Sequence, residues 1–359
     1  MNDDRNFPIK IRRISIQNYK GIDELDMDFP APRMPDDPDI LVMGSRNGLG
    51  KTSIIESCSL LLLALTLREE RFKLHDRYSI VDVPDLLIRA GFHSAEIGGD
   101  IVIDDESISV QIRIDRHGFV KVSRESIREK MFGNDLTYPE GEADDFIKAI
   151  CGFTPNPVIG KTFLLFHSYR KVQEGNPELG MMVEPGRLRR RPPFPRNEFP
   201  MSAFKLRILR SLMGMANLFE LLEDQEPDDT IEKLNELVQI FAGGTINKLR
   251  PSPDNTVDFR VKPIDRDGSF TFDGLSSGQK EIISTLFLIW CHTKNRPSVV
   301  FIDEPELHLN AQWHRSFVKE LLNLAPQNQY IMATHSEDIM DSVNEDRRVL
   351  LLNNQERDK

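Results

Sequence analysis

Two short stretches concentrate the residue types that phosphate chemistry requires. The first is LVMGSRNGLGKTS, Leu41 to Ser53. It approaches the phosphate-loop pattern G-x-x-x-x-G-K-[ST], in which backbone N–H groups, a helix N-terminus and one lysine surround a polyphosphate while a hydroxyl meets Mg2+. Counting back from Gly50 puts Ser45 at the first glycine position, with Gly44 one residue early. Either Ser45 serves there with a negative φ, or Gly44 makes the bend. The candidate nucleotide-binding run is therefore Ser45, Arg46, Asn47, Gly48, Leu49, Gly50, Lys51, Thr52 and Ser53. Gly48 and Gly50 allow the tight wrap, Lys51 reaches the β- and γ-phosphates, and Thr52 sits on the metal.

The second stretch is SVVFIDEPELHLN, Ser298 to Asn310. An apolar run ending in two acids describes a buried parallel strand whose C-terminal tip delivers both carboxylates, where ligands of open α/β sheets bind. Asp303 is placed to hold Mg2+ and Glu304 to polarise the attacking water. A second Gly-Lys-Thr, Gly160 to Thr162 in PNPVIGKTF, runs into a strand and not a helix, so it is set aside.

Positioning such groups takes a strand before the loop and a helix after it. DILVMG is a short apolar strand, and TSIIESCSLLLLALTL carries helical apolar periodicity. Upstream, IKIRRISIQNYKGIDELDMDF alternates as two strands about a Lys20-Gly21 turn. Residues 94–125 read as an antiparallel β-meander beside the nucleotide strand, with turns at Gly98-Gly99, at Asp104–Ser107 and at Arg116–Gly118. KTFLLF is a further strand. The helices MSAFKLRILRSLMGMANLFELLED and DTIEKLNELVQIFAG follow, neither with heptads enough for a long coiled coil. The last third is α/β again: DFRVKPI, SFTF, a helix over 278–292, SVVFIDE, a helix over 310–324, YIMATHS and RVLLLN.

Composition narrows the class. The chain has 359 residues, 39% hydrophobic, which suits one large α/β domain with an insertion or two domains. Its formal charge of −11 argues against a surface wholly devoted to nucleic acid. Clustered positive charge is confined to the proline- and arginine-rich segment 176–200, where Arg187, Arg189, Arg190, Arg191 and Arg196 stand near Phe194. That cluster suits a phosphate backbone or an acidic protein surface, or is simply solvated. Cys58, Cys151 and Cys291 lack disulfide or zinc spacing, and a reducing interior suits them. The acidic N-terminus has no apolar leader, and no apolar run approaches the roughly 18 residues that span a bilayer. The expectation is a cytoplasmic protein without a membrane partner.

LSSGQKE, Leu275 to Glu281, resembles the signature motif of ABC-type ATPases, and IMATHS places His335 where those proteins have their switch histidine. The order of motifs also agrees: phosphate loop, signature, Asp-Glu strand, histidine strand. IQNYKGI and DEPELHLN resemble the SMC, RecF and OLD-like branch, including compact ATPases of the AAA_15 and AAA_21 kind; transporter ATPases show DEPTsaLD and an ARAL run instead. The resemblance covers about residues 1–70 and 255–350.

It implies an α/β P-loop NTPase of ABC type, with a mixed central sheet, the antiparallel meander on the N-terminal lobe and a helical insertion. The corresponding segments are 1–175, 176–255 and 256–359. It further implies ATP and Mg2+ as ligands, catalysis by Lys51, Glu304 and His335, and metal binding by Thr52 and Asp303. Ser276, Ser277, Gly278 and Gln279 would complete the pocket of an opposite subunit. That requires a homodimer or a higher oligomer, although in isolation Ser276 is an ordinary helix cap. Departures are Asn310 where the D-loop has Asp, and His167 at the end of the FLLF strand where a glutamine is expected, Gln173 coming later. His308, Lys20 and Arg12 are candidates to line the site or face solvent.

The activity implied is an ATP-hydrolysing switch that controls an effector protein, as in anti-phage defence. The alternatives are a DNA-repair or chromosome-organising ATPase and, further off, a transporter's nucleotide-binding subunit. Only two dozen residues follow His335, too few for the TOPRIM nuclease of full-length OLD proteins.

Overall fold

A computed structural model describes residues 8–34, 36–44, 48–67, 70–74, 83–124, 150, 158–160, 162–170, 205, 208, 229–251, 257–307 and 309–351. The arginine cluster of 187–196, Gln173, Cys151, His308 and most of the helix expected over 201–224 lie outside these residues. The chain divides into two compact units, Met1–Arg170 with His292–Lys359, and Lys171–Cys291.

The first unit contains two six-stranded sheets. One holds β1 (Ile9–Tyr19), β2 (Ile22–Asp28), β4 (Arg71–Lys73), β5 (Ser94–Ile103), β6 (Glu106–Asp115) and β7 (Phe119–Arg124). Its order is β2-β1-β5-β6-β7-β4, antiparallel throughout. The other holds β3 (Asp39–Gly44), β8 (Val158–Ile159), β9 (Phe163–Phe166), β13 (Val299–Asp303), β14 (Gln329–Thr334) and β15 (Arg348–Leu350). Its order is β15-β3-β14-β13-β9-β8, parallel except for the last pair, so the sheet is mixed as expected. The meander thus pairs with β1 and not with β3, the strand before the glycine loop, a correction to the sequence reading.

Helix α1 (Lys51–Thr66) lies between the sheets, touching β1, β5 and β6 on one side and β9, β13 and β14 on the other, and the short α2 (Val83–Leu87) precedes β5. Its apolar run has no exposed stripe: Leu60, Leu61, Leu62 and Ala64 are wholly buried. A helix enclosed on both sides needs apolar residues all round, which is why the periodicity read from the sequence is only part of the pattern. Each enclosed leucine contributes about 1.5–3 kcal/mol. β3, β9, β13 and β14 are buried at every position, as a parallel sheet covered on both faces requires.

Gly98 and Gly99 do not turn the chain. They sit inside β5, paired with β1 and β6. A Cβ on Gly99 would lie 2.6 Å from both the Arg13 carbonyl and Leu61 Cδ1, so the glycines permit close approach and not reversal. The real reversals are at Asp104 and Asp105, both with positive φ, and at Gly118 (φ 77).

One side chain stitches the sheets together at the end where β3 and β14 begin. Gln329 Oε1 accepts from the Ile11 N–H at 2.7 Å, and its Nε2 donates to the Ile11 carbonyl at 2.9 Å and to Asp39 at 3.3 Å. Arg12 forks onto the same Asp39 at 3.1 and 2.8 Å. Arg12 is therefore a structural cation at the far end of the sheet from the phosphate loop. Gln329→Leu would strand two buried backbone groups of Ile11, each worth about 1–3 kcal/mol. A lower urea midpoint with an unchanged slope is the expected result.

In the second unit, α3 (Thr230–Ala242) buries Leu234, Leu237, Val238 and Phe241 and ends at Gly243 (φ 62), a left-handed cap. A hairpin of β10 (Gly244–Pro251) and β11 (Val257–Pro263) follows, with the short β12 (Phe270–Thr271) on its edge. A boundary at 255/256 falls between the paired strands of this hairpin. A 3-10 turn, Phe272–Gly274, leads into α4 (Ser277–Thr293). In the first unit α5 (Ala311–Leu324) and the short α6 (Glu337–Met340) complete the α/β alternation. Among the described residues no helix is long and apolar enough to cross a membrane.

Candidate active site

Three neighbouring parallel strands, β3, β14 and β13, end at the same edge of their sheet. At or just beyond the end of each stand residues that the sequence singled out, where ligands of open α/β sheets bind. From β3 the chain passes through the loop into α1. Gly48 and Gly50 have φ of 85° and 86°, and a Cβ on Gly50 would lie 2.8 Å from Ile22, so position 50 admits no other residue without strain. Gly44 is still paired strand, opposite Thr334, and its bare Cα accommodates Met340, so the bend is not made there. Ser45, Arg46 and Asn47 lie outside the described residues. Leu49 is half-buried and Ser53 buried in the first turn of α1.

Lys51 and Thr52 begin α1 beside the other two strand tips. Lys51 Nζ is 3.0 Å from His335 Nε2, at the end of β14. Burial pushes the Lys51 ammonium below its ordinary pKa, while Asp303, Glu304 and Glu306 pull it back up. The Thr52 hydroxyl donates to Asp303 Oδ2 at 2.9 Å. Glu304 Oε1 is 3.8 Å from His335 Nε2. The site thus grades from the buried Lys51 and Asp303 to the more open Glu304 and His335.

Asp303 is 1% exposed, and burial pushes its carboxyl up to about 6; Thr52, Arg170 and Ser168 work against that rise while Glu304 adds to it. Its Oδ1 is buried and makes no hydrogen bond among the described residues. An anionic oxygen in that position, next to a threonine hydroxyl, fits a small hard cation. No group of three metal-ligating side chains exists among the described residues. Mg2+ beside a triphosphate does not require one, because it takes most of its oxygens from phosphates and water.

The side chain that holds the acidic tip was not apparent in the sequence. Arg170, buried, donates to the carbonyls of Asp303 at 2.6 Å, Glu304 at 2.9 Å and His167 at 3.1 Å. Glu304 has φ 49, a left-handed conformation that costs a non-glycine residue about 1–3 kcal/mol and persists only where its surroundings impose it. The Arg170 fork and the Glu304 N–H bond to the Ala333 carbonyl at 2.8 Å impose it here. The only sequence signal was an arginine three residues beyond the FLLFH strand tip.

His167 stands at the end of β9, where a glutamine was expected. Burial, then Lys20 and Arg170, push its imidazole down to about 4, so it is neutral. Its Nε2 is buried without a hydrogen bond among the described residues. Lys20 does not face solvent: it pairs with Glu56 of α1 at 2.5 Å. Burial pushes the Glu56 carboxyl up to about 7 despite Lys20, against about 4.3 in an unfolded chain. The proton is therefore favoured in the folded state, and this group costs stability progressively as pH rises from about 4.5 through 7. Thermal melts between pH 5 and 8 are expected to fall less steeply in Glu56→Gln than in the parent, by about 2–4 kcal/mol over the window. Equal slopes would contradict this.

The segment LSSGQKE, Leu275 to Glu281, belongs to the second unit. Ser276 and Gln279 form a reciprocal capping box: the Gln279 N–H donates to Ser276 Oγ at 3.3 Å and the Ser276 N–H to Gln279 Oε1 at 3.0 Å. Gln279 Nε2 donates to the Phe241 carbonyl at 3.0 Å, which ties α4 to α3. Ser276 and Ser277 are exposed at the N-terminus of α4, and Gly278 is buried in its first turn. Asn310, the D-loop departure, caps α5 by accepting from the Gln312 N–H at 3.1 Å.

Comparisons with known proteins bear on the family and the fold. The family model described as "AAA domain, putative AbiEii toxin, Type IV TA system" matches residues 188–341, which include LSSGQKE, the acidic strand and His335 but not the glycine loop. The Septu protein PtuA of Bacillus mycoides (strain KBAB4) is 22% identical over 97% of this chain. The chain spans about two fifths of that relative's length, 41%. An SMC head bound to the C-terminal winged-helix domain of ScpA superposes with a TM-score of 0.55 at 13% identity, covering 93% of this chain and 92% of that one. An SMC head with an extended coiled coil, bound to a ScpA C-terminal domain and derived from Pyrococcus furiosus, gives 0.53 at 13% identity, with 93% and 92% covered.

Proposed function

We propose, from the premise that this chain has the SMC-head fold of an ABC-type ATPase, that it binds ATP with Mg2+, hydrolyses it, and uses the cycle to control a protein partner. The observation that carries this reading is the meeting of Lys51, Thr52, Asp303, Glu304 and His335 at one sheet edge, from sequence positions up to 284 residues apart. Thr52 and Asp303 would hold the magnesium ion, which supplies charge neutralisation at the β- and γ-phosphates.

The chain's own residues do the rest. Lys51 offsets phosphate charge, and the N–H groups of the loop and first turn of α1 direct partial positive charge to the same place. Glu304, held by Arg170 and partly open, orients the attacking water and accepts its proton. In this reading His335, in contact with both the lysine and Glu304, reports whether a γ-phosphate is present. Release of phosphate from ATP by the purified protein, lost on chelating magnesium, is the direct test.

The exposed Ser276 and Ser277 hydroxyls at the start of α4 support the idea that a second copy is met through the signature, closing ATP between two chains. The partner reading draws support from the SMC heads, which were solved with ScpA domains bound, and the defence reading from the Septu relative and the toxin–antitoxin family match. In a DNA-repair role, hydrolysis would rise with added DNA and that rise would vanish when Arg187, Arg189, Arg190 and Arg191 are replaced by alanine.

A further inference from the structure

We infer that Glu306 is a positioning residue that sets the γ-phosphate-facing histidine, acting through the backbone at the tip of β14; this rests on the reading of His335 given above. The β14 ladder ends at Thr334, paired with Gly44, so His335 is the first residue beyond the sheet and its N–H has no strand to bond to. Glu306 supplies the partner. Its Oε1 accepts from the His335 N–H at 2.5 Å and its Oε2 from the Thr334 hydroxyl at 2.7 Å. The Thr334 oxygen in turn accepts from the Ser336 N–H at 3.0 Å, and Ser336 caps α6 by accepting from Ile339. One carboxylate therefore brackets the point where strand becomes helix.

The bracket also joins the two working tips. The left-handed Glu304 turns the chain after β13, Pro305 is buried behind it, and Glu306 is thereby brought across to β14. Motion of either tip is passed to the other through these two hydrogen bonds. Glu306 does not replace Glu304 in the chemistry. Its oxygens are committed to the backbone and to Thr334, while Glu304 is the carboxylate 3.8 Å from the imidazole.

Geometry, and not charge, is what this role requires, and the substitutions separate the two. Glutamine is isosteric: its carbonyl can accept from the His335 N–H and its amide donate to Thr334. Aspartate keeps the charge but is a methylene too short to span both. In steady-state ATP hydrolysis, Glu306→Ala and Glu306→Asp are expected to lose on the order of 10–100-fold in kcat with KM for ATP little changed, because a misplaced catalytic group costs rate more than binding. Glu306→Gln is expected to stay near the parent. If the alanine variant does not fold, aspartate against glutamine decides. Parent-like kcat in Glu306→Asp, or a Glu306→Gln variant as slow as Glu306→Asp, overturns the inference. Lys51→Ala run in parallel separates the two failures: if it too hydrolyses ATP like the parent, the reading of the whole site is wrong and not merely the role of Glu306.

Discussion

Glu304→Gln is expected to stop turnover while sparing nucleotide binding. The substitution leaves the side chain's size and its backbone clamp intact, since Arg170 bonds to the carbonyl of residue 304. What disappears is the proton acceptor. General bases contribute on the order of 10²–10⁴-fold, so phosphate release should fall by that factor while ATP affinity stays within a few-fold. The variant should also hold ATP long enough to accumulate the closed assembly, giving a larger species in size-exclusion chromatography with ATP and magnesium than with ADP. Hydrolysis at the parent rate in Glu304→Gln would remove Glu304 from the mechanism. Slow hydrolysis without any ATP-dependent change in size would leave the catalytic assignment standing and remove the dimer.

Lys51→Ala is expected to lose binding itself. The ammonium is buried, lies 3.0 Å from His335 Nε2, and feels Asp303, Glu304 and Glu306 together. Without it, a triphosphate would approach three acidic side chains with one fewer compensating charge, and the loop N–H groups alone would have to hold it. Thermal stabilisation of the parent by MgATP should grow with ligand, reaching about 2.7 kcal/mol when ATP is a hundred times its dissociation constant. The same titration of Lys51→Ala should give almost none. Because Lys51 is on the first turn of a helix enclosed between two sheets, the variant's melting temperature without nucleotide is the control for a folding defect. A parent-like ATP shift would show that Lys51 does not contact the phosphates.

Local sequence singled out most of the residues that meet at this sheet end. Gly48, Gly50, Lys51 and Thr52 carry their chemistry in local sequence, because a phosphate loop is a feature of backbone torsion and one helix end, both set by neighbouring residues. Asp303 and Glu304 were equally local, being the polar end of a wholly apolar strand. His335 had no such local logic and was reached only through the resemblance of the strand it ends.

Other features depended on distance in the chain. Gly98 and Gly99 read as a turn because paired glycines often are; only the packing of β1 and Leu61 against them shows a strand needing room. Lys20 and Arg12 could not be assigned from sequence, since their partners Glu56 and Asp39 are 36 and 27 residues away. The Ser276–Gln279 capping box was half anticipated, the serine as a cap, while the bond from Gln279 to Phe241 belongs to packing.

From residue order alone came the torsional and periodic features: the glycine loop, the apolar parallel strands, the acidic tip and a succession of motifs that resembles that of ABC-type ATPases. Tertiary structure decided which distant groups became neighbours. It made the meander a separate sheet, enclosed α1 on both sides, bent Glu304 into the left-handed region under Arg170, and set Glu306 across two strand tips. The reason is one of range. Torsions and periodicity are imposed by residues a few positions away, whereas hydrogen bonds such as Arg170 to Asp303, 133 residues apart, exist only once the sheet has aligned its strand ends.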